Sequence, residues 1–191
     1  MQHAFRRAAG CAVVAAAAAM SGAAGAAEGA GPVDGQCIHL ISKGELPGAR
    51  YLAADASRRV TLSDTATPST VWQVRKATPN IFAFSFQADP NWWLDGDRDK
   101  DLSPGRALVS LVADAPSQFT VARWTVAPDG TGGYTLESQH GGHAGAKKYL
   151  DGATAEPDHP VYLSPSTTGI YTGAHWRYEH VDCVSGQVIA G

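Results

Sequence analysis

The sequence predicts one all-β domain built from three divergent four-stranded units related by pseudo-threefold symmetry. Three observations predict it. Short apolar runs recur between turn residues, no segment between Cys37 and Cys183 carries an amphipathic helix of useful length, and tryptophans at 72, 124 and 176 stand 52 residues apart.

The runs 38–41, 60–62, 71–74, 81–86 and 107–112 are bounded by Gly, Pro, Asp and Ser clusters, and their apolar residues tend to alternate. Many short strands at regular intervals indicate a sandwich or a barrel. The repeat decides between them. Each unit opens with a strand: Ile38-His39-Leu40, Ile81-Phe82-Ala83-Phe84 or Tyr134-Thr135-Leu136. An aromatic-leucine step follows at Tyr51-Leu52, Trp93-Leu94 and Tyr149-Leu150. Next comes an x-x-Leu strand at Val60-Thr61-Leu62, Val109-Ser110-Leu111 and Val161-Tyr162-Leu163. A tryptophan strand ends the unit at Val71-Trp72, Arg123-Trp124 and His175-Trp176. A fixed internal period of this kind is the sequence mark of a repeat architecture.

Four strands in three units make a β-trefoil. On these landmarks the chain resembles the trefoil families that include the ricin-B-type lectins and the fascin-like proteins, over essentially residues 37–183. The resemblance implies a six-stranded barrel capped by three hairpins, in which each unit supplies equivalent Leu and Trp residues to one shared core.

The chain begins with a basic head carrying Arg6 and Arg7, an apolar run from Ala8 to Met20, and a small-residue exit with Ala-x-Ala at Ala24 to Ala26. Those are the three parts of a secretory signal peptide, and the run is too short to cross a bilayer of roughly 30 Å as a mature helix. The expected organisation is a signal peptide over 1–26, a linker over 27–36, the trefoil over 37–183 and a tail over 184–191, in a secreted protein, extracellular or periplasmic. The Ala- and Gly-rich leader suggests a bacterial source. Cleavage removes two arginines, leaving 13 basic against 18 acidic residues and a charge of −5. An acidic surface argues against nucleic acid or an anionic membrane as partner.

Cys11 leaves with the leader, and the pair that remains, Cys37 and Cys183, implies a disulfide in an exported protein. Closing a loop of that length contributes roughly 4 to 5 kcal/mol in the chain-entropy treatment. It also requires the first and last strands to be neighbours.

Function should lie where the units differ. Trp93-Leu94-Asp95-Gly96 and Tyr149-Leu150-Asp151-Gly152 match closely, whereas the first unit reads Tyr51-Leu52-Ala53-Ala54. The resemblance to ricin-type repeats implies sugar contact by Asp95 and Asp151, a carboxylate fixing hydroxyls while an aromatic ring packs on the sugar. That family's Gln-x-Trp motif is absent, and Ser63, Val112 and Ser164 stand where its stacking aromatic would be. Asp-Gly also makes tight turns. Trp92 beside Trp93 offers an exposed aromatic, because neighbouring strand residues face opposite ways; Tyr162 and Tyr171 are further candidates.

Aspartates at 95, 97, 99 and 101 suggest a calcium loop, but an EF-hand-type loop counted from Asp95 would need Gly and Glu where Lys100 and Arg106 stand. A solvated hairpin loop is the plainer reading. His140 and His143 flank two glycines with no fixed acidic or thiol ligand nearby, so no metal is expected. No catalytic signature and no cofactor motif is present. The chain therefore reads as a binding module for a glycan, with Asp95, Asp151, Trp92 and Tyr162 as ligand contacts, and not as an enzyme. The alternatives are a protease inhibitor presenting one of the loops 65–69, 113–118 or 165–173, or a trefoil that binds an extracellular protein.

Overall fold

The structure is a computed structural model that describes residues 31–44, 50–103, 106–113, 122–139, 148–152 and 159–190, with side chains described except over 97–108. The expected signal peptide, most of the 113–118 loop and the His140–His143 segment lie outside the described residues.

Strands run in chain order as β1 (Cys37–Ser42), β2 (Arg50–Ala54), β3 (Val60–Ser63), β4 (Trp72–Thr78), β5 (Ile81–Phe86), β6 (Trp93–Ser103), β7 (Arg106–Val112), β8 (Trp124–Pro128), β9 (Tyr134–Ser138), β10 (Tyr149–Gly152), β11 (Val161–Ser164) and β12 (Trp176–Val181). The helices among the described residues are single 3-10 turns at Pro68–Thr70 and Thr172–Ala174. Every pairing is antiparallel. β1 pairs with β4, β4 with β5, β5 with β8, β8 with β9, β9 with β12, and β12 with β1, which closes a barrel of six strands. Closure removes the open edges that a flat sheet would leave exposed to association. The hairpins β2–β3, β6–β7 and β10–β11 lie outside that ring and join it through β1–β2, β5–β6 and β9–β10. They meet one another through the bridges Arg59↔Ser110 and Thr61↔Pro160 and the pair Tyr162↔Leu108.

The repeated landmarks act as one device. Trp72, Trp124 and Trp176 are fully buried, as are Leu52, Leu94 and Leu150. In each unit the tryptophan Nε1–H donates to the carbonyl oxygen of the leucine in the aromatic-Leu step: Trp72 to Leu52 at 2.8 Å, Trp124 to Leu94 at 3.0 Å, Trp176 to Leu150 at 2.9 Å. A buried indole needs a partner for its N–H, and the barrel wall supplies the same one three times. Leu62, Leu111 and Leu163 complete the core between the units.

The expectation of tight Asp-Gly turns is corrected. Asp95-Gly96 lies inside β6, opposite Ser110 and Val109, and Asp151-Gly152 lies inside β10, opposite Tyr162 and Val161. The glycines are there for packing between units. A Cβ on Gly96 would fall 2.8 Å from Leu163 Cδ1, and one on Gly152 2.9 Å from Leu62 Cδ1. Likewise β6 runs on as strand to Ser103, so the aspartates at 97, 99 and 101 belong to a hairpin arm and not to a loop.

Cys37 and Cys183 form a disulfide with Cα atoms 5.2 Å apart, next to the Cys37↔Val181 pair of β1 and β12. Beyond it the chain turns back along β12, with a Val181↔Val188 bridge and the Ile189 N–H donating to the His180 carbonyl at 2.9 Å. No helix among the described residues is long and apolar enough to cross a membrane.

Candidate functional site

The four side chains expected to meet a ligand are placed very differently. Asp95 is only 4% exposed, and its Oδ1 accepts the N–H of Ala122 at 2.9 Å. Ala122 is in the left-handed region, at φ 60°, two residues before Trp124. A carboxylate that accepts a backbone N–H is a strong partner, so Asp95 ties β6 to the turn that launches β8. Enclosed in this way, its carboxylate is turned to the fold rather than to solvent.

Trp92 is half-buried against the core, with the Arg58 guanidinium 3.4 Å above its ring. Arg58 stands at φ 70° in the β2–β3 connection, so the first unit covers this ring of the second. Trp93 is half-buried too, so neither indole of the pair is the exposed aromatic that the alternation predicted. The ring face available for a ligand is reduced by the cation–π contact.

Asp151 and Tyr162 come together. They are directly opposite across β10–β11, and both are half-buried. Residues opposite in an antiparallel pair project from the same face with their Cβ atoms roughly 5 Å apart. The third unit thus presents a carboxylate and a phenol side by side. The matching pair is Asp95 and Ser110 in the second unit and Ala53 and Thr61 in the first. Only the third has both groups. Next to it Gly173 lies so close that a Cβ there would stand 2.4 Å from Asp151 Oδ1.

A second cluster, invisible in the sequence, sits beside the third unit. Asp129 Oδ1 accepts the N–H groups of Thr131 at 2.7 Å and Gly133 at 2.9 Å, and the Thr131 hydroxyl at 2.9 Å. Its Oδ2 takes the Lys43 ammonium at 3.3 Å and His175 Nδ1 at 3.1 Å. Burial by itself would raise this carboxyl, but the Thr131 and Gly133 N–H groups, the Thr131 hydroxyl and His175 outweigh it and hold it well below the usual carboxylate range. His175 Nε2 reaches the Thr167 carbonyl at 2.8 Å. Asp129-Gly130-Thr131 read in sequence as a turn, and His175 as the residue before a core tryptophan. Neither identity signals that they meet.

In the barrel core the third unit also departs from the others: Tyr178 stands where β4 and β8 place Val74 and Val126. Burial pushes its hydroxyl up to about 12, with the Tyr134 hydroxyl as a further cause. Among the described residues no group of three or more His, Cys, Asp or Glu side chains is arranged to hold a metal ion.

No family model and no curated protein matches the chain. Solved structures do. A designed threefold-symmetric protein, ThreeFoil, is 17% identical with a TM-score of 0.58, over 74% of this chain and 96% of that one. A mosquitocidal holotoxin is 13% identical with a TM-score of 0.61, over 79% of this chain and 18% of the toxin. A Polyporus squamosus lectin, solved with the human-type influenza-binding epitope Neu5Aca2-6Galb1-4GlcNAc, is 8% identical with a TM-score of 0.57, over 79% of this chain and 51% of the lectin. The chain therefore spans about a fifth of the toxin and half of the lectin. At these identities the likeness is one of fold. With its closed six-stranded barrel, its three hairpins and its threefold set of tryptophan–leucine bonds, the chain is a β-trefoil.

Proposed function

We propose that this trefoil is an exported carbohydrate-binding module whose sugar contact lies in the third unit and is made by Asp151 and Tyr162. The observation that carries the reading is their pairing across β10–β11, both half-buried, on one face of a hairpin. A carboxylate has about four acceptor positions, enough to serve its own strand and still fix two vicinal hydroxyls. The phenol beside it supplies an apolar face for the sugar ring and a polar rim. The lectin bound to a sialylated trisaccharide is a precedent for sugar recognition on this fold, and nothing finer is taken from it.

Export is part of the proposal, supported by the leader sequence and the disulfide. Binding rather than catalysis is part of it as well. Asp95, the other carboxylate of the matching pair, is committed to a backbone N–H. The experiment is a glycan array probed with the oxidised protein. Binding above background to a restricted set of glycans is expected, and a folded protein that binds nothing contradicts the reading.

A further inference from the structure

The last residues of the chain read in sequence as a tail, yet they fold back over the barrel. Beyond the Cys37–Cys183 bridge, residues 184–190 turn along the end of β12. The Gly186 N–H donates to the Asp182 carbonyl, the Asp182 N–H to the Gln187 carbonyl and the Ile189 N–H to the His180 carbonyl, each at 2.9 Å. Gly186 takes φ 68°, and a Cβ there would stand 3.2 Å from Val71 Cγ2 and 4.0 Å from His39 Nε2. The segment thus lies on the outer face of β1, opposite the face whose Ile38 and Leu40 fill the barrel.

His39 is what it covers. Strand alternation turns this side chain out of the barrel, where a histidine would ordinarily meet water. Instead it is 1% exposed, and neither ring nitrogen has a hydrogen-bond partner among the described residues. From β2 the Tyr51 ring meets it edge-on at 5.2 Å. β12 places Glu179 directly opposite, already paired with Arg177 at 3.3 Å. β4 brings the neutral Gln73, bonded to Arg75 at 3.0 Å. The tail brings Asp182, whose Oδ1 is taken by the Val184 and Ser185 N–H groups. Burial holds the ring below its ordinary value of 6.5, and Glu179 offsets this only in part. A neutral imidazole is tolerated in this enclosure with its nitrogens unpaired, and an imidazolium is not. What closes the enclosure is weak. Val184, Val188 and Ile189 are all exposed, so the segment buries little apolar surface of its own.

We propose that residues 184–190 form an acid-released flap, shut over β1 while His39 is neutral and hinged on the Cys37–Cys183 bridge when it opens. A protonated His39 reaches water only when the flap lifts, so protonation favours the open form. The closing contribution of the neutral ring is fully present above 6.5. It is lost as the pH falls from there toward the lowered value of the closed form. The Ser185 N–H and hydroxyl and the Val184 N–H hold the Asp182 carboxyl below its ordinary value, so it stays ionised through this window. Opening uncovers His39 and the buried apolar strip of Cys37, Val71 and Val181. Acid thus turns a covered face into an exposed apolar one, while the disulfide keeps the flap attached. Asp151 and Tyr162 lie on other strands, so this proposal and the sugar site stand or fall separately.

The test is amide exchange by NMR on the oxidised protein at about pH 7.5 and about pH 5, corrected for the intrinsic pH dependence of exchange. The opening constants of the Gly186 and Ile189 amides are expected to rise on acidification, by up to about tenfold per pH unit. Amides of β5 keep theirs. His39→Phe removes the titrating ring and still offers Tyr51 an aromatic neighbour, so its flap stays protected at both pH values. His180→Gln leaves the response in place. In the wild type, the carbon-bound protons of the His39 ring are expected to titrate together with flap opening. Flap amides that keep their protection at about pH 5, or a response that survives His39→Phe or vanishes in His180→Gln, would overturn the proposal. So would a His39 ring that takes its proton beneath a flap still protected.

Discussion

Replacing Asp95 with alanine separates structural carboxylates from ligand-binding ones. Asp95 is 4% exposed and accepts the Ala122 N–H at 2.9 Å. A hydrogen bond to a charged group contributes about 1.5–3 kcal/mol, and leaving its buried partner unsatisfied costs a similar amount. Truncation also frees the turn at Ala122, a non-glycine residue held at φ 60°. Asp95→Ala should therefore destabilise by about 2 kcal/mol. For a domain of this size that lowers Tm by roughly 4–8 °C. Asp95→Asn keeps an acceptor oxygen and should lose less. Thermal unfolding followed by tryptophan fluorescence reads both, and glycan binding well below the transition should survive in both. A variant that melts with the wild type while losing its ligand would refute the assignment of Asp95 to the fold.

Three further outcomes follow from the same structure. Trp124→Phe removes the donor that satisfies the buried Leu94 carbonyl and leaves a small void, so about 2–4 kcal/mol should be lost in denaturant unfolding. Reducing the Cys37–Cys183 bridge, which closes a separation of 146 residues, should cost up to about 5 kcal/mol, seen as a lower urea midpoint in the Cys37→Ser/Cys183→Ser double variant. Asp129, held below the ordinary carboxylate range, contributes stability that is fully present above its unfolded value near 3.8 and is lost as pH falls through the folded value. Asp129→Asn should thus be clearly less stable than the wild type at neutral pH, and the gap should narrow steadily below about pH 4 in urea titrations.

The fold was legible because the units repeat the residues that build it. Trp72, Trp124 and Trp176 and their leucine partners recur in order, and period-two patterning marks most of the strands between them. The terminal disulfide was legible from the cysteines at 37 and 183, near the two ends of the repeat region. The site was legible only in part. Asp95 and Asp151 look identical in sequence, yet one is enclosed by the turn before β8 and the other stands half-buried beside Tyr162. What separates them is the residue across the hairpin, Ser110 or Tyr162, and that register is a tertiary fact. Asp-Gly reads locally as a turn, but Leu163 and Leu62 from neighbouring units decide that the glycines sit within strands. The Asp129–His175–Lys43 cluster joins residues from three distant segments, so no local pattern could disclose it.

The proposed sugar site is single and lies in the third unit. An amide NMR titration of the oxidised protein with the best array ligand tests it most directly. Saturable shifts centred on Asp151, Tyr162 and their neighbours in β10 and β11 are expected, with a stoichiometry of one and loss of binding in folded Asp151→Ala. Shifts centred on Asp95 and Trp92, or spread equally over all three units, would contradict it.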